Sequence, residues 1–357
     1  MMSVSPGTPT VNIGLLERLT NAIAVSGDER EVRSIVLEEV QSIAEDMRID
    51  ALGNVLVTRR AKTSPFLKVM VAAHMDEVGF MIVDEDEGGL YRFAVVGGMD
   101  SRLLPGKAVL VGKDHLPGVI GARPIHLSES SDLERAIPVD SLRIDLGTGG
   151  AGKAQPGDRA GFATRFQQSG PSLIAKALDN RLGVAALIEL VKNPLDHIEL
   201  QAAFTVQEEI GLRGAGVAAY AMNPDRAIVI DSTPAFDLPV WDAAENYQYN
   251  TRLGAGPAIY TADAGTLSDP RLVSHLIETA EAEGIPYQLR QPGGGGTDAG
   301  AIHRQRAGIP TVSLSVPGRY AHTPILLARV SDWQNTLALV YHALRRLHPS
   351  LLTAERS

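Results

Sequence analysis

Four stretches of this chain read as strands with little polar surface to offer water: FLKVMVAAH (66–74), IELQAAFTV (198–206), RAIVID (226–231) and IPTVSLSV (309–316). Apolar runs of that length belong inside a sheet covered on both faces, which is the environment of parallel strands. Helical periodicity alternates with them in KALDNRLGVAALIELVKN, RGAGVAAYAMN, PRLVSHLIETAEAEG and SDWQNTLALVYHALRRL. That alternation predicts an α/β fold with a mixed, mostly parallel sheet flanked by helices. Upstream, Leu15, Leu16, Leu19 and Ile23, then Val32, Ile35, Val36, Val40 and Ile43, recur at three-to-four spacing and predict two helices within 11–47. Ser26-Gly27-Asp28-Glu29 separates them, and Ser26 with Glu29 fits a capping box for the second. MRIDAL and NVLVTRR follow as strands.

Residues 80–166 have a different texture. Short β-like pieces (GFMIVDED, YRFAVVG, KAVLVG, LPGVIGA, SLRIDLG, RAGFATRF) are punctuated by Gly, Pro and Asp, the pattern of a small β-rich domain. A length of 357 residues suits two domains. The expected organisation is therefore a larger α/β domain in two parts, 1–77 and 169–357, with a β-rich domain inserted at 78–168.

Composition narrows the chemistry. The chain has no cysteine. This excludes disulfides, zinc ribbons, iron–sulfur clusters and a catalytic thiol, so any metal must be held by His, Asp and Glu. A formal charge of −9 argues against a nucleic-acid coat. No apolar run reaches the ~18 residues a membrane span needs, and the polar, Pro-containing first ten residues lack the pattern of a secretory signal. A cytoplasmic protein without nucleic-acid or membrane partners is expected. Gly147–Gly152 fits G-x-G-x-x-G literally, but Lys153-Ala154-Gln155-Pro156-Gly157 follows instead of a helix, so a dinucleotide site is not expected. Gly293–Gly296 is no phosphate loop, because no Gly-Lys-Ser/Thr follows. Ser128–Ser131 and the C-terminal Glu355-Arg356-Ser357 read as polar loop.

The informative pattern lies at the strand ends. The first buried run reaches His74-Met75-Asp76, the second Glu208-Glu209 and the third Asp231; the fourth leads through Pro317-Gly318-Arg319-Tyr320-Ala321 to His322. Asp179 stands at the start of the helix that begins NRLGVAALIEL. Ligands of open α/β sheets sit outside the carboxyl ends of strands. Taken singly, each residue has an ordinary structural explanation, Asp179 as a helix cap above all. Their coincidence predicts a site for a zinc-class metal of borderline N/O character.

AHMDEVGFMI, KALDNRLG, TVQEEIGLRGA, VIDSTPA, GGGGTDAGAIH and VPGRYAHTP occur in this order. Together they resemble the M42 metallo-aminopeptidases, the glutamyl and tetrahedral aminopeptidase group, over roughly residues 12–348. The resemblance implies a zinc-peptidase-like fold whose inserted domain contains GARPIHL. It implies two divalent metal ions, zinc with cobalt or manganese as alternatives. His74 and Asp231 would bind one, Glu209 and His322 the other, and Asp179 would bridge them. Asp76 would hydrogen-bond the far nitrogen of His74. Glu208 would act as general base toward a water shared by the metals, in the hydrolysis of N-terminal residues from peptides. Asn180 stands where many relatives have a second Asp, while the bridging carboxylate is retained. The glycine run would help shape the substrate pocket. Relatives assemble as dimers built into dodecamers, so a homo-oligomer is expected. For substrate charge, Arg252, Arg319 and Asp298 are the pocket candidates. Two other activities compete: an M20-like carboxypeptidase or deacylase, which would carry an αβ insertion, and a glycoside hydrolase using paired carboxylates.

Overall fold

The computed structural model describes residues 7–64, 66–128, 135–238 and 250–352. The first six residues, the polar stretch at 129–131 and the C-terminal tail lie outside them. Strands β1 (Asp46–Ile49), β2 (Val55–Arg59) and β3 (Leu67–His74) lead directly into β4 (Gly79–Glu85), β5 (Leu90–Val96), β6 (Ala108–Val111), β7 (Leu116–Gly121), β8 (Arg143–Asp145) and β9 (Arg159–Phe162). The chain then continues with β10 (Gln167–Ser169), β11 (Ser172–Ala175), β12 (Ile198–Thr205), β13 (Arg226–Pro234), β14 (Ala258–Tyr260), β15 (Gln288–Arg290), β16 (Thr311–Arg319) and β17 (Leu326–Arg329).

β4 to β9 close into an antiparallel barrel in the order β4-β5-β8-β7-β6-β9. Each of the six β-like pieces between 79 and 166 supplies one barrel strand. Inside, Phe80 meets Phe93 and Phe162 edge-on, with ring centroids 5.1 and 5.2 Å apart, an arrangement aromatic pairs favour. An αβ insertion is not what fills this segment. The G-x-G-x-x-G run is a turn after β8, with left-handed Gly147, Gly149 and Gly152 and no helix behind it.

The other strands form an 11-stranded mixed sheet, in the order β1-β2-β12-β3-β13-β16-β17-β11-β10, with β14 and β15 branching from β16. Its centre, β12-β3-β13-β16, is parallel throughout, and every residue of β3 and β12 from the third onward is buried. The helix Leu178–Lys192 is buried nearly all round. One side packs on β3 and β13, the other against helices Ile13–Asn21 and Val330–Arg346. Helix Arg213–Met222 covers the opposite face with its small residues Gly214, Ala215, Ala218 and Ala219. No helix among the described residues is long and apolar enough to cross a membrane.

One expected local feature is replaced by tertiary bonds. The capping box at Ser26 and Glu29 does not form. Helix Arg30–Val40 begins with Glu29 at its cap position and no side-chain cap. The Glu29 carboxylate instead accepts from Gly27 N at 2.6 Å. The Ser26 hydroxyl points away to a residue fifty positions distant.

A buried ionic cluster holds the sheet to the barrel's point of departure. Lys176 Nζ lies 2.8 and 2.9 Å from the two oxygens of Glu77 and 2.6 Å from Ala22 O. Arg181 reaches Glu77 at 3.2 Å, Leu19 O at 3.1 Å and Asp76 O at 3.2 Å. All three side chains are almost wholly enclosed. Removing the shared carboxylate leaves two buried cations without their counter-charge. Glu77→Gln is therefore expected to cost about 3–5 kcal/mol, read as a lowered denaturant midpoint. A loss below about 1 kcal/mol would contradict this account of the cluster.

Candidate metal centre

Parallel pairing levels the strand ends. Thr205 of β12 lies beside His74 of β3, and Val229 of β13 beside Ala72. Two residues further along, Asp231 therefore stands level with His74, and His74 Nε2 is 3.5 Å from Asp231 Oδ1. Asp231 does not end its strand, as the sequence suggests. β13 continues to Pro234 because its pairing with β16 persists to Gly318. Glu208 and Glu209 follow β12 in a turn, and His322 follows β16 with a left-handed backbone (φ 57°).

Asp179 enters from the helix side, and it is not the helix cap. Its own φ/ψ of −81°, 105° is extended. Asn180 does the capping: its Oδ1 accepts from Gly183 N at 3.1 Å, and its Nδ2 donates to Ile230 O at 2.8 Å. Asn180 thus ties the Asp179 turn to the residue just before Asp231 and leaves the Asp179 carboxylate free. One oxygen of that carboxylate is 3.4 Å from His74 Nε2 and the other 3.6 Å from His322 Nε2. His322 Nε2 is also 3.3 Å from Glu209 Oε2.

Two donor sets result: His74, Glu208 and Asp231, and Asp179, Glu209 and His322. Within each set the ligand atoms lie within 4.8 Å of one another. The adjacent glutamates face different sets. Each histidine is oriented through its far nitrogen. His74 Nδ1 donates to Asp76 O at 3.2 Å, and His322 Nδ1 donates to Gly98 O, at the barrel edge, at 2.9 Å. With Nδ1 committed to a carbonyl, Nε2 is the ring atom each histidine turns toward the centre. The expected partner of His74, the Asp76 carboxylate, stands 3.6 Å away, and the main-chain carbonyl of the same residue makes the closer contact.

Electrostatics show what the pocket requires. Burial and neighbouring carboxylates push Glu208 well above the usual range and Glu209 up to about 8. Asp231 is also raised by burial. Although burial opposes the charged imidazolium of His74, Glu208, Asp179, Asp231 and Asp76 drive its pKa well above normal. His322 is raised to about 10, chiefly by its hydrogen bond to Asp179. Burial opposes ionisation of Asp179, but the two imidazoles lower its pKa below the ordinary value. So many buried carboxylates stay ionised together only with compensating positive charge. Divalent cations in an N/O donor set provide it, and the residues fit that group.

The centre lines a cavity of about 510 Å³ with Leu212, Tyr260, Arg290 and Gly294–Gly296. The glycine run is thus a pocket wall. Arg319 is not in it, being paired to Asp237 at 2.7 Å; Arg252 is exposed elsewhere. Asp298 lies beneath the site, hydrogen-bonded by Thr205 and raised to about 7 by burial. The cation that reaches the cavity wall is Arg290, stacked 4.3 Å over the Tyr260 ring. Its strand, three residues long, gives no periodic signal.

A helix-covered α/β sheet with this donor set at its parallel strand ends defines a metal-dependent hydrolase. The chain belongs to the M42 glutamyl aminopeptidase family, whose profile matches residues 53–339. It is 33% identical over 347 residues to the lysyl aminopeptidase of Pyrococcus furiosus, with 94% of this chain and 97% of that one covered. Its fold is similar to the TET aminopeptidase of a marine sediment archaeon of the Thaumarchaeota, at TM-score 0.90 and 31% identity, covering 96% of this chain and 98% of that one. It is also similar to the TET1 peptidase of Pyrococcus horikoshii, at TM-score 0.83 and 34% identity, covering 94% and 99%. The chain is therefore a peptide hydrolase of the metal-dependent aminopeptidase class.

Proposed function

We propose that this enzyme removes N-terminal residues from peptides using two divalent metal ions, with Glu208 as general base. The observation that carries this reading is the Asp179 carboxylate, whose two oxygens face the two histidines of separate donor sets. His74 and Asp231 would hold one ion, Glu209 and His322 the other, and Asp179 both. Bound there, the ions would polarise the scissile carbonyl and lower the pKa of the attacking water. Glu208 would take the proton from that water and deliver it to the leaving amine. Burial and the neighbouring carboxylates raise its affinity for a proton above that of an ordinary glutamate. Asp76 acts on the pair through the backbone, since its oxygens accept from Glu208 N at 3.0 Å and Glu209 N at 3.2 Å.

Zinc suits the donor set, and cobalt and manganese remain alternatives. A homo-oligomer, with a dodecamer as its candidate form, belongs to the same reading. It is supported by the Pyrococcus horikoshii relative, which can assemble into a tetrahedron or a large octahedral shell. Cytoplasmic residence and the division at residues 77/78 and 168/169 also belong to it; the barrel strands span Gly79–Phe162. The test is a panel of aminoacyl chromogenic substrates on chelated protein, with zinc, cobalt or manganese added back singly. Turnover is expected only with metal and only for free amino termini. Equal turnover of N-acetylated substrates, or chelator-insensitive hydrolysis of sugars, would overturn the reading.

A further inference from the structure

We propose that Ser26 is a positioning residue for the Glu208-Glu209 pair, acting through Asp76. The proposal rests on the reading of Glu208 as base and Glu209 as ligand. Ser26 Oγ donates to Asp76 Oδ2 at 2.6 Å, and Ser26 is 1% and Asp76 0% exposed. The same carboxylate accepts from the two consecutive amides that carry the glutamates: Oδ1 from Glu208 N, Oδ2 from Glu209 N. A carboxylate gripping successive amides fixes the peptide plane between them, and hence the splay of the two side chains toward their separate donor sets. Ser26 supplies a hydroxyl bond to Oδ2, the same oxygen that accepts from Glu209 N. Without it, Asp76 can turn about its side-chain torsions and release one amide.

Ser26 is itself held firmly. Its N donates to Glu77 O at 3.3 Å, and Val25 pairs with Glu77 in an isolated bridge. Its carbonyl accepts from Arg159 Nε of β9 at 3.1 Å. The next residue, Gly27, has φ +86°, and a Cβ there would lie 2.9 Å from Arg159 Nη2. Helix formation does not use the hydroxyl, since the following helix starts without it. The barrel thus clamps the turn whose hydroxyl steadies Asp76.

Ser26→Ala, Asp76→Asn and the double variant test the assignment. Outer partners of metal sites typically govern 10–100-fold in affinity or activity. Ser26→Ala is expected to lower kcat about tenfold with KM within about twofold, and to weaken zinc binding about tenfold in chelator competition. Its melting temperature should stay within about 3 °C of the parent. In the Asp76→Asn background, Ser26→Ala should add almost nothing, because its effect runs through that carboxylate. The proposal is overturned by a kcat and zinc affinity within about twofold of the parent, by additive effects, or by a large melting loss that moves KM and kcat together. If the parent turns over no peptide substrate, the reading of Glu208 as base fails, and zinc affinity alone then decides the role of Ser26.

Discussion

Glu208→Gln is expected to lower kcat by about 10³-fold, within the range a positioned general base contributes, while metal content stays near that of the parent. Glutamine matches glutamate in shape but cannot take a proton. The backbone bond from Glu208 N to Asp76 survives the change, so the turn itself is retained. The comparison variant is Glu209→Gln. Glu209 sits with Asp179 and His322, so its loss should first appear as weakened metal binding. Measuring bound metal and kcat in both variants separates the roles. A Glu208→Gln protein that loses metal, or one that keeps most of its turnover, would show that the roles of the neighbouring glutamates are exchanged or otherwise assigned.

Removing the metal should have a second large effect, one that depends on pH. Glu209, at about 8 in the folded protein, holds a proton there that the unfolded chain releases near 4.5. Its contribution is complete below that ordinary value and is lost as pH rises through about 8. His322, raised to about 10, behaves alike: its contribution is complete below about 6.5 and is lost toward 10. Asp179, being lowered, matters only in acid, where its contribution fades as pH falls below the ordinary carboxylate value. The metal-free protein should therefore weaken steadily between about pH 5 and 9. Metal replaces those protons, so the melting gap between zinc-loaded and chelated protein should widen with pH. Ligand at a thousand times Kd stabilises by about 4 kcal/mol per site, which corresponds to about 5 °C per site, or about 10 °C for two, in a protein of this size. Melts of both forms from pH 5.5 to 8.5 test the sign. A gap that narrows with rising pH would contradict the charge account. Asp179→Ala should resemble the chelated form, because it faces both histidines.

Much of the architecture is legible because burial writes it plainly. A strand enclosed on both faces has no polar alternation, so the runs ending near His74 and Thr205 stand out. The barrel pieces announce themselves by turn residues. Donor residues next to such strands are equally visible, since parallel pairing sets their ends at one height. What escapes is decided by contacts distant in the chain. Ser26 reads as a cap because Glu29 sits three residues on, yet Asp76 outcompetes the helix for its hydroxyl. Asp179 reads as a cap too, but its neighbour Asn180 takes that task. Asp231 reads as a strand end because polar residues follow it, while its pairing with β16 keeps the strand extended. Arg290 is invisible in a strand of three residues, whereas Arg319 attracts notice and is spent on Asp237.

The Glu77–Lys176 pair has an architectural consequence. The chain leaves for the barrel immediately after Glu77 and is back in the main sheet by Lys176, and these two side chains meet at 2.8 Å. Nearly a hundred residues thus depart and return through a single fastened gateway. Seen from the catalytic sheet, the inserted domain is a loop of negligible span, the condition under which proteins tolerate large insertions. The guest segment could lengthen, shorten or be replaced without pulling the parallel strands out of level. A new occupant would have to reproduce at least a carbonyl for His322 where Gly98 stands, a guanidinium for the Ser26 turn and the partner that His115 gives Glu31.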